Sequence, residues 1–357
     1  MSRAQDIPSA GRTVAGTGPN PPAAARTLWI SWNAHRRTTG LCAAWGIPLH
    51  VVRTKRKGPG RWIERAVRTL VLLRRKRPDI LFVQNPSLAL SLLAIAVRPL
   101  FPCYLVVDAH NEGVRPFYRR SRFVRWLTRR VLKAADLTIV TNAALASDVV
   151  AAGGRPVVLP DALPTPSVRP SRRADNIGTP EVVVIATFMP DEPIAAIMEA
   201  AATMPYVRFA VSGAAARFHQ AGIPLPPNVR LTGFLLDPAY WRLLAGAAVI
   251  VDLTLKPDCL VCGAYEGLAL GKPLVLSDNP PTRELFGAAA VLTGNSPGEI
   301  ASAVRRALAE RERLAANARE LRDAFTKRWP AQASAAWSAI LAGATEASRA
   351  RIAKARR

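Results

Sequence analysis

Asp258-Cys259-Leu260-Val261-Cys262-Gly263-Ala264-Tyr265-Glu266 runs directly into Gly267-Leu268-Ala269-Leu270-Gly271-Lys272-Pro273-Leu274-Val275-Leu276-Ser277-Asp278. Two acids stand eight positions apart, and the second falls in a helical stretch that stops at Gly271-Lys272-Pro273. An apolar strand, Leu274 to Leu276, follows at once. A carboxylate on such a helix can accept paired hydrogen bonds from the vicinal hydroxyls of a sugar. About one turn earlier, the free N–H groups and positive end of the helix suit a phosphate. The stretch therefore predicts a ribose-and-phosphate site at the edge of an α/β sheet.

Outward from it, short β-branched runs alternate with helical patterns through most of the chain. In the first half the strands are expected at Thr27–Ser31, Leu49–Val52, Ile80–Val83, Tyr104–Asp108, Leu137–Val140 and Val157–Leu159. In the second half they are expected at Val182–Ala186, Val207–Val211, Val229–Leu231, Ala248–Leu253, Pro273–Leu276 and Ala289–Leu292. Apolar strands separated by helices imply parallel sheets covered on both faces. Repeated prolines (Pro160, Pro164, Pro166, Pro170) interrupt the pattern, and a new strand starts near Val182. The 357 residues thus divide into two doubly wound domains, in keeping with the size at which single cores stop growing. The expected boundaries are a tail over 1–25, a first domain over 26–165, a linker over 166–180 and a second domain over 181–327. A Trp-containing helix over 328–345 then packs back on the first domain, and a basic tail occupies 346–357. Ligands of doubly wound sheets bind beyond the carboxyl ends of the strands, so the cleft between the domains is the expected site.

Composition bounds the partners. There are 49 Lys and Arg against 25 Asp and Glu, a formal charge of +24. An anionic partner follows: a nucleotide, a phospholipid surface or a nucleic acid. Four cysteines in 357 residues fit a reducing compartment rather than a disulfide framework. The first 25 residues lack the apolar core of a signal peptide. Between Ile80 and Val107 the only charge is Arg98, but Pro86, Pro99 and Pro102 cut this apolar passage into strand, helix and strand. Two segments are strongly basic: 53–77, with eleven Lys and Arg against Glu64, and 115–133, with eight and no acid. In the second, Phe123, Leu127 and Val131 share a helical stripe beside Arg122, Arg125 and Arg129, and Trp126 stands among arginines. That composition suits a lipid headgroup boundary; an ordinary sheet-covering helix is the competing reading.

With two such domains, the chain resembles the GT-B glycosyltransferases, in particular the family 4-like group, over about residues 26–345. That group carries a Glu-x7-Glu motif, matched here by Asp258 and Glu266, and Gly271-Lys272-Pro273, Ser277-Asp278, Ala135-Asp136 and Val158-Leu159-Pro160-Asp161 are similar too. Gln84-Asn85-Pro86, Asp108-Ala109-His110-Asn111 and Pro190-Asp191-Glu192-Pro193 resemble stretches of the chitobiosyl-diphosphodolichol β-mannosyltransferase family. The resemblance implies a GT-B fold and transfer of a sugar from a nucleotide-diphosphate donor to a lipid-linked or saccharide acceptor. With the sparse cysteines and the basic segments, the expectation is a cytoplasmic enzyme held peripherally at the inner face of the membrane, on an anionic surface. Two departures stand out. The Arg/Lys pair that clamps the diphosphate in family 4 has no counterpart in Thr187 to Pro193, and Trp32-Asn33-Ala34-His35-Arg36-Arg37 replaces the glycine loop after the first strand.

Glu266 is the expected ribose acceptor, against a solvated helix-end Glu. Asp258 is expected near the transferred sugar, against a helix N-terminal charge stabilised by the dipole. His110 follows the strand ending in Asp108; it is expected to bond the donor sugar or the reacting hydroxyl, with Asp108 orienting it or acting as base, against a simple turn. Arg36, Arg37 and Lys256 are the available cations for the leaving diphosphate, and N–H groups at Cys262 and Gly263 are expected to share that task. No Asp-x-Asp element is present, so neither a metal nor a cofactor is expected. Cys259-x-x-Cys262 lacks the further ligands that zinc requires. A nucleic-acid-binding protein accounts for the charge but not for the Asp258/Glu266 element, so no nucleic acid is expected. A non-catalytic GT-B scaffold accounts for the lost clamp, and a sugar-nucleotide epimerase shares the architecture.

Overall fold

The computed structural model describes residues 25–85, 87–116, 121–168 and 180–355. Most of the expected N-terminal tail, Pro86, most of the linker, residues 117–120 of the second basic segment and the last two residues lie outside them. Each expected strand is present, with ends shifted by at most two residues. β1 (Thr27–Ser31), β2 (Leu49–Val51), β3 (Ile80–Asn85), β4 (Tyr104–Ala109), β5 (Leu137–Val140) and β6 (Pro156–Val158) form one all-parallel sheet in the order β2-β1-β3-β4-β5-β6. β7 (Glu181–Val184), β8 (Arg208–Ser212), β9 (Val229–Gly233), β10 (Val249–Asp252), β11 (Leu274–Ser277) and β12 (Ala290–Thr293) form a second parallel sheet, ordered β12-β11-β10-β7-β8-β9. The second has the dinucleotide-fold order, the first the flavodoxin-like order with a sixth strand.

The reversal of strand order falls between β1 and β3 in the first sheet and between β7 and β10 in the second. Crevices open at such points because neighbouring connections leave on opposite faces. Strands β3, β4 and β5 are buried along their whole length, which explains their unbroken apolar character.

Right-handed crossovers sort the helices. On one face of the first sheet, α2 (Gly60–Lys76), α3 (Leu88–Ala96), α5 (Arg122–Ala134) and α6 (Ala143–Ala151) bury Leu73, Leu90, Val131 and Leu145 against Ile30, Val83 and Val107. On the other, α1 (Arg36–Trp45) and the last helix, α13 (Arg311–Ala355), enclose Trp29, Phe82 and Ile139. The second sheet lies between α7 (Ile194–Ala202) with α12 (Pro297–Ala309) and α9 (Asp237–Gly246) with α10 (Cys262–Leu270). Short helices α4 (Asn111–Val114), α8 (Ala215–Gln220) and α11 (Pro280–Phe286) complete the set.

The C-terminal helix is longer than the sequence pattern indicates. It begins at Arg311 and places Leu314, Ala318 and Phe325 in the cores of the second domain. Further along, Ala333, Ala336, Trp337 and Ile340 enter the core of the first. Trp337 lies near-parallel to Phe82 at 6.1 Å and packs on Trp45 at 5.5 Å. Two indole N–H groups fix the crossing: Trp45 donates to the Ala333 carbonyl at 3.1 Å, and Trp329 to the Pro160 carbonyl at 3.0 Å. One continuous element therefore belongs to both cores.

Candidate active site

The carboxyl ends of the two sheets meet along a seam. From the second domain, α10 begins at Cys262 and ends on Gly271, whose φ of +67° is the left-handed stop that glycine supplies. Glu266, one turn in, is buried and points at the seam. Its Oε1 accepts from Arg36 Nη1 at 2.5 Å and its Oε2 from the Tyr240 hydroxyl at 2.5 Å. Burial pushes the Glu266 carboxyl above its ordinary range, against the pull of Tyr240 and Arg36. Arg36 also reaches Asp237, Nη2 to Oδ1, at 2.6 Å. Glu266, the expected ribose carboxylate, thus lies at the seam and is already engaged from across it.

Below it lies a buried charged floor. Asp108, at the end of β4, accepts from Arg37 Nε at 2.9 Å; Arg37 Nη1 donates to Asp161. The side chains of Arg37 and Asp108 are 1% and 0% exposed. Burial opposes both charges, but the pairing prevails: Asp108 is held well below the usual carboxylate range and Arg37 well above its own. Both expectations are corrected here. Arg37 is enclosed and committed to two carboxylates, so it does not face the cleft as a diphosphate cation. Asp108 is buried and held ionised beside Arg37, with Oδ2 turned towards His110, which favours the orienting role over that of a base.

His110 caps α4 and sits over Asp108, Nε2 to Oδ2 at 3.6 Å, beyond hydrogen-bond reach. Its ring meets His35 edge-on, with centroids 4.2 Å apart. Burial, with the neighbouring His110, lowers the pKa of His35 to about 4, so it is neutral at pH 7. Arg37 Nη2, Asp108 Oδ2, His35 Nδ1, His110 Nε2 and Asn111 Oδ1 are buried and lack a protein partner. Buried polar atoms are normally satisfied, so this concentration marks where a hydroxyl or an ordered water completes the site.

The remaining assignments shift. Asp258, at a φ of +50°, turns its carboxylate to Arg115, while its carbonyl accepts from Asn142 Nδ2 at 3.1 Å. It bridges the domains. Lys256 is paired with Asp191 at 2.8 Å and Glu112 at 3.3 Å, another bridge in place of the expected free cation. Asn111 Nδ2 donates to the Pro257 carbonyl at 3.2 Å. The 256–258 turn thereby fastens the second domain to the first. At the start of α10, the Gly263 N–H donates to Asp252 Oδ2 at 2.8 Å and is not free for a phosphate. Cys262 lies exposed beside it. Burial pushes the Cys259 thiol up to about 12, the reverse of a redox cysteine. Among the described residues no group of His, Cys, Asp or Glu forms a metal-holding cluster.

Sequence reading missed Tyr240 and Asp237 on α9 and Arg217 on α8. Arg217 Nη1 donates to the Thr187 carbonyl at 3.2 Å, beside the loop that lacks a base of its own. In that loop the Glu192 carboxylate accepts from the N–H groups of Thr187 and Phe188 at 3.0 and 2.8 Å.

Two parallel sheets joined at their carboxyl ends, with a buried carboxylate and orphaned polar atoms at the join, define a two-domain α/β protein with its candidate site between the domains. Residues 13–161 match the Glycosyl transferase 4-like domain family, and residues 193–337 the Glycosyl transferase-like family. The chain is a glycosyltransferase of the GT-B class. Among solved structures it is similar to a sucrose-phosphate synthase from Thermosynechococcus elongatus, with a TM-score of 0.73 at 15% identity over 89% of this chain and 99% of that one. Anabaena HepE in complex with UDP and glucose gives 0.71 at 15% identity over the same shares. A glycosyltransferase from Rickettsia africae gives 0.64 at 10% identity, again over 89% and 99%. No curated protein matches.

Proposed function

We propose that the protein moves a sugar from a UDP-linked donor to a lipid-linked or polysaccharide acceptor at the cytoplasmic face of a membrane, without a metal. The donor assignment is carried by Glu266: a buried carboxylate on α10, where a nucleoside's vicinal hydroxyls would meet it. That HepE is described with UDP and glucose in the same fold supports uridine as the base. In the reaction the sugar's anomeric C–O bond to the diphosphate breaks, and the diphosphate leaves with the electron pair. The acceptor oxygen bonds the anomeric carbon, and its proton passes to an oxygen of the departing diphosphate. His110, over the unpartnered floor atoms, is assigned to the transferred sugar or this reacting hydroxyl. The diphosphate gathers negative charge as it leaves, so the chemistry calls for positive charge fixed beside it.

The membrane assignment is supported by one face of the first domain. α2 and α5 pack on the same side of the first sheet, and both turn apolar side chains outward. Ile63 is 68% exposed, with Trp62, Val67 and Val71 on the same helix. Phe123, 65% exposed, stacks on Trp126 at 5.9 Å. Of the expected stripe on α5, Val131 instead enters the core, so the outward aromatic pair is Phe123 and Trp126. Arginines lie over the rings, Arg61 over Trp62 at 4.7 Å and Arg130 over Trp126 at 5.0 Å. Apolar and aromatic groups among arginines suit an anionic headgroup layer. Among the described residues no helix is long and apolar enough to cross a membrane.

A thermal-shift series with UDP, GDP and ADP tests the donor. UDP is expected to stabilise the wild type and not Glu266→Ala; no shift with any nucleotide overturns the reading. Flotation with phosphatidylglycerol vesicles tests the surface: the wild type is expected to float and the Ile63→Ser/Trp126→Ser double variant to stay behind. Equal flotation of the two overturns the membrane assignment.

A further inference from the structure

At the seam four bases each meet two carboxylates. Arg37 is enclosed between Asp108 and Asp161, Lys256 between Asp191 and Glu112, and Arg115 between Asp148 and Asp258. Arg36, on Glu266 and Asp237, differs from them in its exposure. It is the first residue of α1, its side chain is 55% exposed, and it reaches out of the first domain to Glu266, itself 8% exposed. Both Glu266 oxygens therefore already accept a short hydrogen bond. A ribose diol reaching this carboxylate competes with these two donors for the space in front of it. Tyr240 is the less mobile of the two, because its ring is held edge-on to buried Trp241 and burial keeps its hydroxyl protonated. Arg36 is a long, half-exposed side chain whose second contact, Asp237, is also exposed.

We propose that Arg36 is the diphosphate-binding base of this enzyme, held on Glu266 until the donor arrives. The ribose takes Glu266, and the freed guanidinium turns to the diphosphate carried by that same ribose. Ribose and diphosphate are covalently joined, so a cation displaced by one is left within a side chain's reach of the other. The planar fork that spans Glu266 and Asp237 is equally suited to two phosphate oxygens. The exchange supplies the positive charge that Thr187 to Pro193 lacks. It also exchanges the cation on Glu266 for two neutral hydroxyl donors as the negative charge arrives.

This inference rests on the proposed donor, and calorimetry with uridine and UDP on the full chain separates the two. Arg36 lowers uridine affinity, by competing for Glu266, and raises UDP affinity. Arg36→Ala is therefore expected to bind uridine at least as tightly as the wild type and UDP at least tenfold more weakly. Arg36→Lys is expected to recover part of the preference for UDP, keeping the charge but not the fork. If Arg36→Ala keeps the full preference for UDP over uridine, the inference falls and the donor assignment stands. The inference also falls if Arg217→Ala, and not Arg36→Ala, abolishes the preference. If the wild type binds neither ligand, both readings fall together.

Discussion

Arg37 and Asp108 form an ion pair with no route to solvent, Nε to Oδ1 at 2.9 Å. Removing one member of such a pair strands the other charge, whereas apolar residues of similar size can replace both with little loss. Arg37→Met, which strands both Asp108 and Asp161, is expected to cost about 3–5 kcal/mol of stability. The triple variant Arg37→Met/Asp108→Leu/Asp161→Asn, which removes all three charges, is expected to regain most of it. Urea unfolding followed by circular dichroism measures this, and a triple variant no more stable than the single refutes it.

His35 has a folded pKa of about 4 against an ordinary value of 6.5, because burial and His110 outweigh the pull of Asp161 and Asp108; Arg37 adds to the lowering. Between those values the unfolded chain binds a proton that the folded chain does not, so stability falls as pH drops through that window. The shift corresponds to roughly 3 kcal/mol. His35→Gln is expected to flatten the decline of the thermal midpoint between pH 6.5 and 4; an unchanged slope rules the assignment out.

Glu266 must be ionised to accept both ribose hydroxyls, and burial raises its pKa above the ordinary 4.5. UDP affinity is therefore expected to weaken on acidification before an ordinary glutamate would protonate. Glu266→Gln, lacking the charge, should bind weakly with no such acid limb. Calorimetric titrations from pH 7.5 to 5 distinguish the two profiles.

A Cβ on Gly263 would lie 2.4 Å from Asp252 Oδ2 and 2.5 Å from Ile185 Cδ1. Neither neighbour is at the end of a freely moving chain, so Gly263→Ala displaces the start of α10 and Glu266 with it. A loss of about 1–3 kcal/mol is expected from the overpacking. Weaker UDP binding should accompany it, and unaltered calorimetric affinity would count against this account.

The strands were legible because those buried on both faces must be apolar, as Ile80–Val83 and Val249–Val251 are. Glu266 was legible because a helix stopped by Gly271-Lys272-Pro273 fixes where its side chain points. The cations were not. Arg37 meets Asp161 across 124 positions and Arg36 meets Glu266 across 230, and no local pattern reports such pairings. Neighbouring arginines of equal propensity consequently take opposite environments, one sealed in and one facing the seam. Asp237 marked the beginning of a helix, an acid followed by Pro238, but nothing in its segment reveals that α9 lies beside α10. The full extent of the last helix is not legible, because its apolar positions change partners midway, from the core holding Phe325 to the core holding Trp337.

That shared helix also constrains how far the lobes could separate. Any gaping of the seam must bend or slide a rod anchored in each lobe, since Trp329 and Trp337 bind it to the first and Phe325 to the second. Pro330, between these anchors, has no N–H to give the preceding turn, so the rod is softest there. Were the lobes to part, that turn is where the spine would yield, away from the bonds that change.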